Sequence, residues 1–130
     1  MGFLDRLMGR GAPAASPVHV TDGNFEQEVM GHKGPLILDV WGPGCAPCQR
    51  LEPIIVSLAR ENAGRVKVCE LNAAESPRTA SRLGVRGTPT VVVFRGRAEL
   101  GRVVGWRPKS YFDQMIAKEF PEDPTGGHTP

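Results

Sequence analysis

The stretch LILDVWGPGCAPCQRLEP (residues 36–53) holds two cysteines, Cys45 and Cys48, with two residues between them, and Asp39 six residues ahead of the first. Where a strand turns into a helix, a Cys-x-x-C pair brings two thiols within reach of one disulfide. Cys45 falls at the N-terminal end of the helix to come. Unpaired backbone N–H groups and the helix dipole favour an anion there, so its pKa should fall and thiolate be available near neutral pH. Cys48 is one turn further in and more covered. The division of labour that follows has Cys45 opening a substrate disulfide to form a mixed disulfide, and Cys48 displacing the reduced product.

Two other uses of the pair fit less well. A metal site usually takes four ligands in close-spaced sets. Here the only other thiol is Cys69, and His19, His32 and His128 are scattered, so no metal is expected. A purely structural disulfide across so short a loop removes little chain entropy. Redox chemistry is favoured, with the Cys45–Cys48 disulfide itself as the redox group and no added cofactor.

Asp39 alternates with Ile37 and Trp41, while Leu38 and Val40 point the other way. Either face buries it. An unpaired carboxylate in that place is costly to ionise, and its pKa should rise well above ~3.9. With a raised folded-state pKa, native stability declines as pH climbs from the unfolded value to the folded one. A destabilising residue at such a position suggests a part in the chemistry. Asp39 is expected to exchange a proton with Cys48, directly or through a water, as the mixed disulfide resolves. The alternative is a core aspartate with satisfied hydrogen bonds.

The elements that must hold these groups read as follows. PVHV is a short strand, and TDGNFEQEVM a helix entered at Thr21 or Asp22, with Phe25, Val29 and Met30 apolar at helical spacing. LILDVW, apolar on both faces, is a central strand. A long helix over 45–63 carries a core stripe of Leu51, Ile54, Ile55, Leu58 and Ala59 and is bent by Pro53. RVKVCELN is a strand, with Cys69 as a small buried hydrophobe packed under the site rather than a regulatory thiol. SPRTASRLG is a short helix with Ser76 as N-cap, Pro77 at its first position and Gly84 as its stop. TPTVVVFR and AELGRVVG pair as a hairpin around Gly96. PKSYFDQMIAKEF closes the domain as an amphipathic helix with Tyr111, Phe112, Met115, Ile116 and Phe120 apolar. The order βαβαβαββα predicts an α/β domain, a mixed sheet with helices on both faces.

The domain is bounded at 18–120. Residues 1–17 are an N-terminal extension and linker, in which Phe3, Leu4, Leu7 and Met8 share a helical face. The bland reading of this arm is a frayed extension; the sharper one is docking on the domain, a partner or a membrane surface. Residues 121–130 are a polar, Pro/Gly-rich tail expected to be disordered. With 16 basic and 14 acidic residues, the charge balance is too even to argue for nucleic acid or an acidic membrane. Three cysteines are too few for a disulfide-stapled secreted scaffold, and neither a signal-peptide core nor an 18-residue apolar run is present. A cytoplasmic, reducing compartment is expected.

Over residues 18–120 the sequence resembles the bacterial thioredoxin family. LDVWGPGCAPC, LEPII with Pro53, ELNAAESP, LGVRGTPTVVVF and VVGW carry the resemblance together. It implies the thioredoxin fold, a central mixed five-stranded sheet flanked by four helices. It also implies a monomer that reduces protein disulfides and is recharged by a thioredoxin reductase. By the same resemblance Cys45 is the nucleophile, Cys48 the resolving thiol and Asp39 the buried acid. Trp41 is the aromatic packed beside the motif, and Gly105 the glycine that leaves room for a docked substrate chain. From the residues alone Pro89 is open to cis or trans; the resemblance implies cis, with Thr88 offering its backbone as a short edge to an extended substrate.

Four positions depart from the family pattern. Gly44 replaces the tryptophan that usually precedes the first cysteine, which removes an exposed aromatic from the docking surface. Trp106 follows Gly105 where a smaller residue is more usual; it is expected either to replace the lost contact area from the opposite wall or to cap the last helix from the core. Glu70 stands where relatives often carry lysine, and either pushes Asp39 further up or points to solvent. Within the motif, Ala46 replaces glycine and Pro47 keeps the dipeptide stiff, so a modest change in redox poise is expected. Two rival functions use the same fold: a disulfide oxidase or isomerase of an exporting compartment, and a binding module or co-chaperone with little turnover.

Overall fold

The computed structural model describes residues 15–121. Most of the extension and tail expected at 1–17 and 121–130 therefore lies outside the described residues. The elements within them are β1 (Val18–Val20), α1 (Glu26–Met30), β2 (Pro35–Trp41), α2 (Ala46–Glu61), β3 (Lys67–Asn72), α3 (Pro77–Arg82), β4 (Thr90–Arg95), β5 (Ala98–Val104) and α4 (Lys109–Glu119). This is the order the alternation of apolar patterns predicts.

The five strands form one sheet in the order β1-β3-β2-β4-β5. β1 and β2 run parallel to β3, while β4 is antiparallel to β2 and to β5. β2 lies in the middle, and the five residues from Leu36 to Val40 are all buried, as a strand covered on both faces requires. Its alternation divides the core in two. Ile37 joins Val68, Val91, Val93 and Val103 under α2 and α4, against Leu51, Ile55, Leu58, Phe112, Ile116 and Phe120. Leu36, Leu38 and Val40 join Cys69, Leu71, Val92 and Phe94 on the other face, against Phe25, Val29 and Met30 of the α1 segment.

Several local details differ from the sequence reading. α1 is a single π-helical turn, closed by the Gly31 N–H donating to the Glu26 carbonyl at 2.8 Å. Thr21 stands at its entry, its carbonyl accepting the N–H groups of Asn24 and Phe25. Asp22 turns away from α1 and caps α3, accepting the N–H groups of Arg78 and Thr79 at 3.3 and 2.7 Å. Ser76 occupies the N-cap position of α3, but its hydroxyl accepts the Asp22 N–H instead. Ile54 is only half-buried, and Tyr111 is exposed, edge-on to Phe112. α2 runs through Pro53, whose missing N–H leaves the Gln49 carbonyl without its helical donor.

Candidate active site

Cys45 and Cys48 lie at the junction of β2 and α2. Gly44 has φ +71°, a left-handed backbone that side chains rarely adopt. A tryptophan would be strained in that conformation. Cys45 follows in extended conformation as the N-cap of α2, with Ala46 exposed and Pro47 half-buried in the first turn. The cysteines are joined as a disulfide with Cα atoms 5.2 Å apart. The Cys45 sulfur accepts the Cys48 N–H at 3.2 Å, one of the donors that a helix start leaves unpaired. Cys45 is half-exposed, whereas Cys48 is 5% exposed.

Asp39 points from β2 into a groove of about 300 Å³ that it shares with Cys48, Trp41, Gly42, Glu52 and Glu70. It is 5% exposed, and its Oδ1 has no hydrogen-bond partner among the described residues. Burial, reinforced by the charges of Glu70 and then Glu52, pushes its carboxyl up to about 7. Glu70 is Asp39's register partner across β3. Of the two readings offered for Glu70 the first holds, since its charge raises Asp39; it does not point to solvent but accepts the Trp41 indole N–H at 2.6 Å. That bond fixes Trp41 on the wall of the groove.

The third side comes from the loop before β4 and the end of β5. The Thr88–Pro89 peptide is cis, and the Thr88 carbonyl oxygen lies 3.5 Å from the Cys45 sulfur. The Gly105 N–H donates to the Pro89 carbonyl at 2.8 Å from a backbone at φ +94°. Only glycine takes that conformation without strain, so Gly105 ties the two segments together. Trp106 is half-buried against the α2/α4 core, with the Arg50 guanidinium stacked 4.9 Å from its ring centre. Its indole N–H is buried without a partner, and it does not line the groove beside Asp39.

Cys69 is fully buried, but not under the disulfide. Strand alternation sends it to the face opposite α2, among Leu38, Leu71 and Phe25. Burial pushes its thiol up to about 12, which leaves it inert. Among the described residues no three His, Cys, Asp or Glu side chains gather as a metal site. Sequence reasoning missed two groups at the site, Glu52 on the groove rim and His19, whose Nδ1 lies 2.7 Å from Glu70. His19 and Glu70 face each other only because β1 pairs with β3.

A reducible pair with Cys45 half-buried and Cys48 buried, next to a buried acid and the Thr88 carbonyl, defines a thiol–disulfide oxidoreductase. Comparison with known proteins narrows this. The thioredoxin family model matches residues 16–118. Thioredoxin 1 of Nostoc sp. is 36% identical over 104 residues, covering 80% of this chain and 97% of its own. The thioredoxin of Synechocystis sp. is 35% identical over 105 residues, 81% of this chain and 97% of its own. That of Thiocapsa roseopersicina is 45% identical over 80 residues, 62% of this chain and 88% of its own. The chain belongs to the thioredoxin family, and its cysteine pair performs dithiol–disulfide exchange.

Proposed function

We propose that the protein is a cytoplasmic, monomeric electron carrier that reduces protein disulfides and is restored by a thioredoxin reductase, with no cofactor beyond its own cysteine pair. The observation that carries the reading is the unequal burial of Cys45 and Cys48 across one disulfide.

In the reduced protein the Cys48 N–H and the start of α2 favour thiolate at Cys45. That thiolate attacks one sulfur of a substrate disulfide. A Cys45–substrate disulfide forms, and the other substrate sulfur leaves as thiolate and takes a proton. Cys48 then gives its proton to the Asp39 carboxylate through the solvent of the groove they share, and the Cys48 thiolate attacks the Cys45 sulfur. The Cys45–Cys48 disulfide closes and the second substrate sulfur departs. Two electrons have passed to the substrate. Asp39 at about 7 is suited to this transfer, since near neutral pH it both accepts and returns a proton.

Docking falls to the surface around Cys45. The Thr88 backbone beside the sulfur, held by the cis bond to Pro89, pairs with an extended substrate segment, with Trp41, Gly44, Ala46, Pro47, Gly105 and Trp106 around it. The test is reductase-coupled reduction of insulin by the full chain and by a chain starting at Pro17. Turnover lost in Cys45→Ser, with a trapped mixed disulfide in Cys48→Ser, is expected. An intact full chain that oxidises reversibly but reduces no protein disulfide would leave a binding module instead.

A further inference from the structure

Three titratable side chains stand in one row across the sheet. His19 on β1 is the register partner of Glu70 on β3, and Glu70 is the register partner of Asp39 on β2. Neighbouring strands lie only ~4.8 Å apart, so side chains at matched positions on one face are in reach of each other. The row runs inward from solvent. The His19 side chain is 51% exposed, Glu70 22%, and Asp39 is buried.

The contacts along the row fix charges. Both ring nitrogens of His19 face carboxylates, Nδ1 at 2.7 Å from Glu70 Oε2 and Nε2 at 3.1 Å from Glu75 Oε1. A neutral imidazole has one N–H; two carboxylate partners require both nitrogens to donate, and hence the imidazolium. The second Glu70 oxygen accepts from Trp41. Glu70 is thus held as an anion between a cation and an indole, next to a carboxyl with an unpartnered oxygen. The other titratable groups lining Asp39's groove are Glu52 and Cys48 of α2. Among the described residues no lysine or arginine lines that groove.

We propose that His19 is a positioning residue for disulfide exchange, acting through Glu70 to set how tightly Asp39 holds its proton. The proposal rests on the role given to Asp39 above. The imidazolium offsets part of the Glu70 charge and so weakens its repulsion of an ionised Asp39. As the ring loses its proton, the full charge of Glu70 bears on Asp39, which then holds its own proton more firmly. The two titrations therefore oppose each other, and Asp39 changes state over a wider pH range than an isolated acid. Hydrogen bonding to Glu70, then its charge, with Glu75 adding to both, raises His19's own pKa above the usual histidine value.

The experiment is an NMR titration of the Asp39 side-chain carboxyl carbon in the oxidised full chain. It compares the natural sequence with His19→Gln, His19→Lys, Glu70→Gln and the His19→Gln/Glu70→Gln double variant. Glu70→Gln is expected to lower the Asp39 midpoint, and His19→Gln to raise it by about half a pH unit. His19→Lys keeps the cation and should not raise it. In the Glu70→Gln background, His19→Gln should lose most of its effect. A merely structural His19 would make Gln and Lys alike. Equal behaviour of those two, no movement in either, or a His19→Gln shift that survives Glu70→Gln overturns the proposal. Because the carboxyl is read directly, the result stands apart from whether Asp39→Asn slows turnover, which tests the role of Asp39 itself.

Discussion

The Asp22 carboxylate accepts the Thr79 backbone N–H at 2.7 Å, while the Asp22 N–H donates to the Ser76 hydroxyl. The turn after β1 and the start of α3 are thereby clasped from both sides. Hydrogen bonding to Thr79, through its side chain first and its backbone N–H second, holds the Asp22 carboxyl below the usual carboxylate range. A lowered folded-state pKa stabilises above the unfolded value and is lost as pH falls through the folded one. Asp22→Ala is therefore expected to lower the melting temperature by a few degrees at pH 7 and less in acid, with insulin reduction unchanged. Thermal melts at both pH values check this; an undiminished loss in acid would count against the cap.

Asp39 has the opposite sign. Its folded-state value of about 7 lies above the ordinary 3.8, so the cost of burying its charge grows between those two pH values. Asp39→Asn should stabilise the fold by on the order of 4 kcal/mol at pH 8 and by almost nothing near pH 3.5. It should also slow disulfide reduction roughly tenfold or more. Urea unfolding at the two pH values and the insulin assay measure both. Unchanged turnover would remove Asp39 from the exchange step.

Trp106 joins the core on one side and the Gly105 loop on the other. Trp106→Phe, which keeps most of the packing, is expected to raise KM for protein disulfides several-fold while leaving KM for a small aromatic disulfide alone. Trp106→Ala should add a stability loss of about 2 kcal/mol. An unchanged KM for protein substrates in Trp106→Phe would restrict this residue to packing.

Cys69 should escape alkylation. With its thiol at about 12, only about one molecule in ten thousand carries the thiolate at pH 8, and burial blocks that one too. Iodoacetamide on the reduced native protein should mark Cys45, and Cys69 only after denaturation. Mass spectrometry of peptides distinguishes them.

The element order was legible because each segment carries its own period and its own punctuation, from Pro77 and Gly84 around α3 to Gly96 in the hairpin. The cysteine pair and the buried acid were legible for the same reason, since a strand, a turn and a helix start are local. What escaped depends on which strands become neighbours. Asp22 sits where a cap for α1 belongs, and only the fold carries it to α3. His19 means little until β1 lies beside β3. For Cys69 burial does not give location: the alternation of Val68, Cys69 and Glu70 puts it on the face away from Asp39's neighbour Glu70.

Cys48 is almost wholly covered, while Cys45 is only partly so. Any incoming thiolate, from donor or acceptor, therefore meets the protein at Cys45. Electrons enter and leave by one door, and the two clients cannot occupy it together. Steady-state kinetics should then be ping-pong, with parallel double-reciprocal lines and each client inhibiting the other at high concentration.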